Sequence, residues 1–156
     1  MRIRLATDSD LPQVVRLWAA LAASEQALGV PIRADPQAQR NWLASFARHL
    51  GRFSFLWVAD REGEVMAFLL ARLKTRPDYL GGELIGELCS IYVDPALRGS
   101  HTGRDLVHTA IKALQDAGAN AIETDAHESN AAACAFWEAQ GFRAGFRTYR
   151  FRPPVP

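Results

Sequence analysis

The chain has 156 residues, a formal net charge of +1 and ordinary shares of apolar (49%) and charged (22%) residues. That length suits a single domain, 1–156, able to bury a core without metal or disulfide staples. The charge balance excludes a broad basic surface for nucleic acid, and no run of about 18 apolar residues offers a membrane span. Cys89 and Cys134 have neither CxxC nor metal-ligand spacing, and residues 1–10 lack the apolar stretch of a signal peptide. Two free thiols then point to a reducing cytoplasm.

Ile3 and Leu5 alternate with polar neighbours and predict a short first strand. Thr7 and Asp10 resemble a capping box, followed by Leu11, Val14, Val15, Trp18 and Leu21 at helical spacing. Gly29, Pro31 and Ala34 mark a loop, and Asp35-Pro36 opens a second helix with Trp42, Leu43, Phe46, Ala47 and Leu50 on one face. Residues 53–60 and 64–74 are strand-like runs joined by the hairpin signal Arg61-Glu62-Gly63. Residues 75–82 form a loop, and residues 83–93 a long strand stopped by Asp94-Pro95. A helix follows over 102–117, with Leu106, Val107, Ala110, Ile111 and Leu114 on one side and Gly118 at its end. Residues 121–126 predict a short strand, Ser129 caps a helix running to Gln140, and residues 146–151 predict a last strand. The order is an α/β pattern around an antiparallel meander.

The densest signal lies over residues 91–106, where a strand ends, a turn follows and a Gly-containing loop opens an amphipathic helix. Such a junction aims free backbone N–H groups and the positive helix end at one point, which suits a pyrophosphate. Arg98 and Arg104 add charge, Ser100 and Thr102 add hydroxyls, and Gly99 and Gly103 permit close approach. A plain strand-to-helix turn capped by Thr102 has the same local pattern. Neither GxGxxG nor GxxxxGK[ST] occurs, which disfavours a dinucleotide fold and a P-loop kinase.

This run resembles motif A of the GNAT acetyltransferases, [Q/R]xxGx[G/A], with Arg98 at its first position and Gly103 at its last. His101 stands where Gly is usual, and a positive φ there would strain it. The stretch from Glu128 to Phe142 resembles motif B, NxxAxxxYxxxGF, through Asn130, Ala133, Gly141 and Phe142. Trp137 replaces the usual Tyr; its indole N–H donates a hydrogen bond but is no acid at neutral pH. The opening strand and helix are also similar. The resemblance implies a mixed, mostly antiparallel sheet flanked by about four helices. It implies acetyl-CoA, or another acyl-CoA, as cosubstrate and an amine of a small molecule or peptide as acceptor; it leaves a homodimer open.

By that resemblance the coenzyme meets Ile91, Tyr92, Val93, Arg98, Gly99, Ser100, His101, Thr102, Gly103, Arg104, Asn130, Ala133 and Trp137, with backbone N–H groups of residues 91–93 polarising the carbonyl. Asn130 has a second reading as a helix cap, and Trp137 as core. Glu87 is the candidate base, because strict alternation puts it on one face with Ile85, Cys89, Ile91 and Val93; a bulge would shift that parity. Glu83, Asp125 and His127 are lesser candidates, and Tyr92 is a candidate acid. An acyl-cysteine route lacks a base partner for either thiol. The acceptor is expected against residues 28–40 and 75–82. Two other readings stay open: an acyl-CoA-binding module without turnover, motivated by His101 and Trp137, and a scaffold without ligand.

Overall fold

The computed structural model describes Met1–Pro156. Five strands form one sheet in the order β1-β2-β3-β4-β5: β1 (Arg2–Leu5), β2 (Ser54–Arg61), β3 (Glu64–Thr75), β4 (Leu84–Val93) and β5 (Ala121–Thr124). The first four run antiparallel to their neighbours, and β5 pairs parallel to β4. A parallel pair needs a crossover, supplied by α3 (Thr102–Asp116). The other helices are α1 (Leu11–Ala27), α2 (Pro36–Ala47) and α4 (Ala131–Ala139). The fold is the mixed, mostly antiparallel α/β arrangement that the sequence predicts.

The central strand β3 reads Val-Met-Ala-Phe-Leu-Leu-Ala without a break because both of its faces are covered. Odd-numbered Ala67, Leu69 and Ala71 pack with Leu106, Val107, Ala110 and Leu114 of α3 and Trp137 of α4. Even-numbered Phe68 and Leu70 pack with Val14, Leu17, Trp18 and Ala22 of α1 and Phe46 of α2. Phe68, Leu106 and Leu114 are fully buried, each worth about 1.5–3 kcal/mol in apolar transfer. Trp18 stacks on Trp42 at 4.9 Å between ring centroids, tying α1 to α2.

Three expectations need correction. Residues 146–151 form no strand: the chain after Phe142 is irregular, and residues 143–156 make no backbone hydrogen bond. The cap of α4 is Asn130, not Ser129; the Asn130 side chain accepts the Ala133 N–H at 3.0 Å, while Ser129 hydrogen-bonds His127. The long strand is not a strict alternation either. Leu70 pairs with Ser90 and Ala71 with Leu88, so Cys89 is an extra, unopposed residue. This bulge flips the parity downstream. Ile91 and Val93 pack on the α3 side, whereas Glu87 faces the α1–α2 side together with Tyr92.

Candidate active site

β4 and β5 separate where the bulge lies. Their pairing ends at Leu88 and Thr124, and the last four residues of β4 keep only β3 as a strand neighbour. Asp94 donates its N–H to Met66 on the β3 side. Alternation along an antiparallel strand then turns the N–H groups of Ile91 and Val93 away from β3, into the fork. Two strand amides are thus available at one point without any rearrangement.

The chain leaves β4 through a single helical turn, in which the Asp94 carboxylate accepts the Ala96 N–H at 2.8 Å. Leu97 is buried and anchors the turn. Gly99 has φ +80° and His101 φ +64°, two left-handed residues on either side of Ser100. The Ser100 hydroxyl donates to the Leu97 carbonyl at 2.6 Å and lies 2.8 Å from the Thr102 hydroxyl, so both hydroxyls brace the loop. The backbone N–H groups of Gly99, His101, Thr102, Gly103 and Arg104 have no acceptor within the chain. They open the N-terminus of α3, 15 residues long, whose dipole favours an anion. Arg98 is exposed and free of any ion pair; Arg104 is paired with Asp105 at 3.1 Å. A diphosphate fits this donor set. Gly103 sits where α3 meets α4 and the end of β4: a Cβ there would be in ordinary contact, 3.4 Å from Phe136 and from Val93.

On the other face of the sheet a cavity of ≈ 350 Å³ lies between α2 and the strands. Trp42 and Phe46 give it an apolar wall, and Arg72, Glu87, Cys89, Ser90 and Asp125 give it a polar one. Glu87 accepts from Lys74 at 2.8 Å and from Arg72. Burial alone would raise its pKa, but the two cations outweigh burial and hold it below the usual carboxylate range. Burial and the Glu87 charge push the Cys89 thiol up to about 12, which disfavours the thiolate that a nucleophile needs. Tyr92 is half-buried against the α1–α2 core, and its hydroxyl makes no hydrogen bond within the chain.

With this geometry, the family model described as "Acetyltransferase (GNAT) family" matches residues 15–142. The chain belongs to the GNAT acetyltransferase family. A mycothiol acetyltransferase of Amycolatopsis mediterranei is 33% identical over 87 residues, covering 55% of this chain and 29% of that protein. One from Nocardiopsis dassonvillei is 32% identical over 103 residues, covering 64% and 31%. The chain thus spans about a third of the length of these curated relatives. Among solved structures, a mutant of the BH1408 protein from Bacillus halodurans aligns with a TM-score of 0.84 at 24% identity, over 99% of this chain and 100% of that one. The aminoglycoside N-acetyltransferase AAC(6')-Iy in complex with CoA aligns with a TM-score of 0.72 at 17% identity, over 99% and 100%.

In this GNAT domain the expected residues fall into three groups. Ile91 and Val93 lie at the end of β4, and Arg98 and the loop amides follow between β4 and α3. Glu87 and Tyr92 lie on the opposite face, at the cavity and beside it. Trp137 is buried, edge-on to Phe136 and Phe142, and serves the core; Ala133 packs on the same cluster. Residues 28–40 and 75–82 do not line the cavity. Glu83 lies beside Arg76, outside the cavity wall, and His127 is exposed, its Nδ1 accepting the Ser129 N–H at 3.2 Å. Sequence reasoning gave no place to Glu25, which lies outside the cavity wall. Burial raises its pKa and the nearby His127 partly offsets the rise. The signal was present: Glu25 continues the stripe Val14, Trp18, Leu21, Ala22 and puts a carboxylate at the edge of an apolar face.

Proposed function

We propose that this GNAT chain is an acetyl-CoA-dependent N-acetyltransferase that moves the acyl group to a primary amine by direct attack, with both substrates bound together. One observation carries the reading: five unpartnered loop amides and Arg98 stand beside a strand fork, and a mixed apolar and acidic cavity opens across the sheet. The acceptor is a small-molecule amine, or the N-terminus or lysine of a protein. The named relatives, mycothiol and aminoglycoside acetyltransferases, support the small-molecule class.

Acetyl-CoA, or another acyl-CoA, supplies an acyl thioester when bound. The amides of Gly99, His101, Thr102, Gly103 and Arg104 hold its diphosphate, with Arg98 as the added cation. Asn130 has its amide nitrogen free for the pantetheine, since only its oxygen caps α4. The N–H groups of Ile91 and Val93 stabilise charge as it develops on the carbonyl oxygen. Glu87, held ionised by Arg72 and Lys74, accepts a hydrogen bond from the amine in the cavity. Its low basicity makes it a relay that passes the proton through water to solvent rather than storing it. The free Tyr92 hydroxyl is the donor for the departing thiolate.

A second reading, a GNAT module that binds acyl-CoA without turnover, is favoured by the left-handed His101 and by an indole at position 137. Thiol release from acetyl-CoA with a panel of amines separates the two. Turnover with any amine supports the enzyme; tight CoA binding with no turnover supports the module. No calorimetric heat with CoA at millimolar concentration defeats both. Within either, Arg98→Ala raises the CoA dissociation constant several-fold, and an unchanged constant removes Arg98 from the site.

A further inference from the structure

Four residues stand in one row on the sheet face that α1 and α2 cover. Ser54 of β2 is opposite Arg72 of β3, Arg72 is opposite Glu87 of β4, and Glu87 lies beside Glu123 of β5. Ser54 is 6% exposed and lines the ≈ 350 Å³ cavity, and its hydroxyl makes no hydrogen bond within the chain. A buried hydroxyl left open onto a cavity calls for a polar partner there. Arg72 gives only its Nε to Glu87, so its two terminal nitrogens stay free at the same wall. Glu87 is shared between Arg72 and Lys74, and Glu123 is held by Arg76. Lys74 comes no nearer to Glu123 than 3.9 Å, and Glu83, outside the wall, no nearer to Arg76 than 3.8 Å. Three cations thus face two closely held anions, and the surplus is positive. At the other end Asp125 follows β5 at the mouth of the fork and has no ion pair. The cavity is therefore bipolar, with open donors at β2 and β3 and an open carboxylate beyond β5.

We propose that this cavity selects an amine that carries a carboxylate at its far end, an ω-amino carboxylate; the proposal rests on the acyl-transfer reading above and names its acceptor. The Ser54 hydroxyl and the terminal N–H groups of Arg72 donate to the carboxylate, a charge-assisted contact of the stronger kind. The amine lies between Glu87 and Asp125, beside the fork. Its position and that of the carboxylate are two strand spacings apart, about 9–10 Å, which an extended chain of about six carbons spans. Trp42 and Phe46 line that span with apolar surface, which suits methylene groups. A diamine of the same length sets its second ammonium against the Arg72 guanidinium and is rejected by like charge. A neutral tail takes less from the Arg72 donors, because a hydrogen bond between two charged groups is the stronger one. Selection comes from the tail of the acceptor, not from its reacting nitrogen.

The test is equilibrium binding to the full chain by calorimetry, with and without CoA, of 6-aminohexanoate, 6-aminohexanamide and 1,6-diaminohexane, which differ only at the far end. The carboxylate is expected to bind at least about tenfold more tightly than the amide or the diamine. Ser54→Ala is expected to cut that preference several-fold, with the dissociation constant of the amide and the circular dichroism spectrum unchanged. Arg72→Lys keeps the charge but loses the paired donors, and is expected to cut the preference as well. Equal binding of the three, tighter binding of the diamine, or a preference that survives both substitutions overturns the proposal. So does an absence of heat with 6-aminohexanoate at millimolar concentration. Binding needs no turnover, so the two readings fail separately. A carboxylate preference without acyl transfer defeats the enzyme and leaves the selective cavity in place. Turnover of all three amines at similar kcat/KM keeps the enzyme and removes this acceptor.

Discussion

Arg72 on β3 and Glu87 on β4 stand directly opposite each other across the sheet, and their side chains form an ion pair at the wall of the cavity. Lys74, one pair further along the same face, holds the second carboxylate oxygen at 2.8 Å. This arrangement follows from the period of two in β3, which puts Arg72 and Lys74 on one face, and from the position of Glu87 before the bulge. The site therefore has an anion whose charge is fixed and a fork whose amides are open.

Glu87→Gln keeps the shape and removes the charge. The expected result is a fall in kcat of at least about tenfold with the CoA dissociation constant unchanged. The pH profile checks the assignment. Because the Glu87 pKa is lowered from 4.5, the carboxylate is ionised through the whole neutral range, and it produces no acid limb in kcat/KM above that value. An acid limb near neutral pH that Glu87→Gln abolishes would contradict this.

His101 holds φ +64°, where a side chain meets its own backbone. His101→Gly releases the strain at the cost of a more flexible unfolded chain, for an expected net gain of about 0.5–1 kcal/mol. Thermal unfolding reads this as a rise of roughly 1–4 °C. His101→Val, β-branched in the same conformation, is expected to lower Tm. CoA affinity in His101→Gly is expected to stay level or improve, since the proposed phosphate contact uses the backbone N–H of residue 101, which glycine keeps.

Cys89 is the bulged residue and is exposed, yet its thiol is pushed up to about 12. Iodoacetamide at pH 8 is therefore expected to label it about 100-fold or more slowly than a small free thiol, because only the thiolate reacts. Peptide mapping after a timed pulse measures the rate. Ordinary labelling at that pH would reopen an acyl-cysteine route.

Much of this was legible because it is local. The amphipathic stripe of α3, the unbroken apolar run of β3 and the Asp35-Pro36 start of α2 each state their own element. The geometry of the loop between β4 and α3 was legible for the same reason, since its glycines, arginine and helix start are consecutive. What failed depended on partners. The Cys89 bulge is defined only by its register against β3, so no alternation rule within β4 reveals it. Gly86 looks like a weak point in a strand. Its reason is that a Cβ would sit 2.8 Å from Ile122 and 2.9 Å from Leu114, which pins α3 and β5 against β4. Residues 146–151 have a strand's sequence without a strand's neighbour in the chain.

Asp10 offers the sharpest test of the fold's acid sensitivity. It is buried, accepts from Arg4 at 2.7 and 2.9 Å, and accepts the Thr7 N–H at 2.7 Å. The Arg4 guanidinium, aided by Thr7, holds its carboxyl far below the ordinary 3.8. A depressed acid adds stability wherever the unfolded carboxyl would be ionised, which is above about pH 4. As pH falls below that point the unfolded chain takes up a proton that the folded chain refuses, and the contribution drains away. Asp10→Asn is therefore expected to cost about 2 kcal/mol at pH 7, in line with hydrogen bonds to charged groups. Urea unfolding repeated toward pH 2 should show the mutant and the parent converging. A gap that stays constant down to that pH would mean that the Asp10 carboxylate contributes by shape alone and that its charge is irrelevant to the fold.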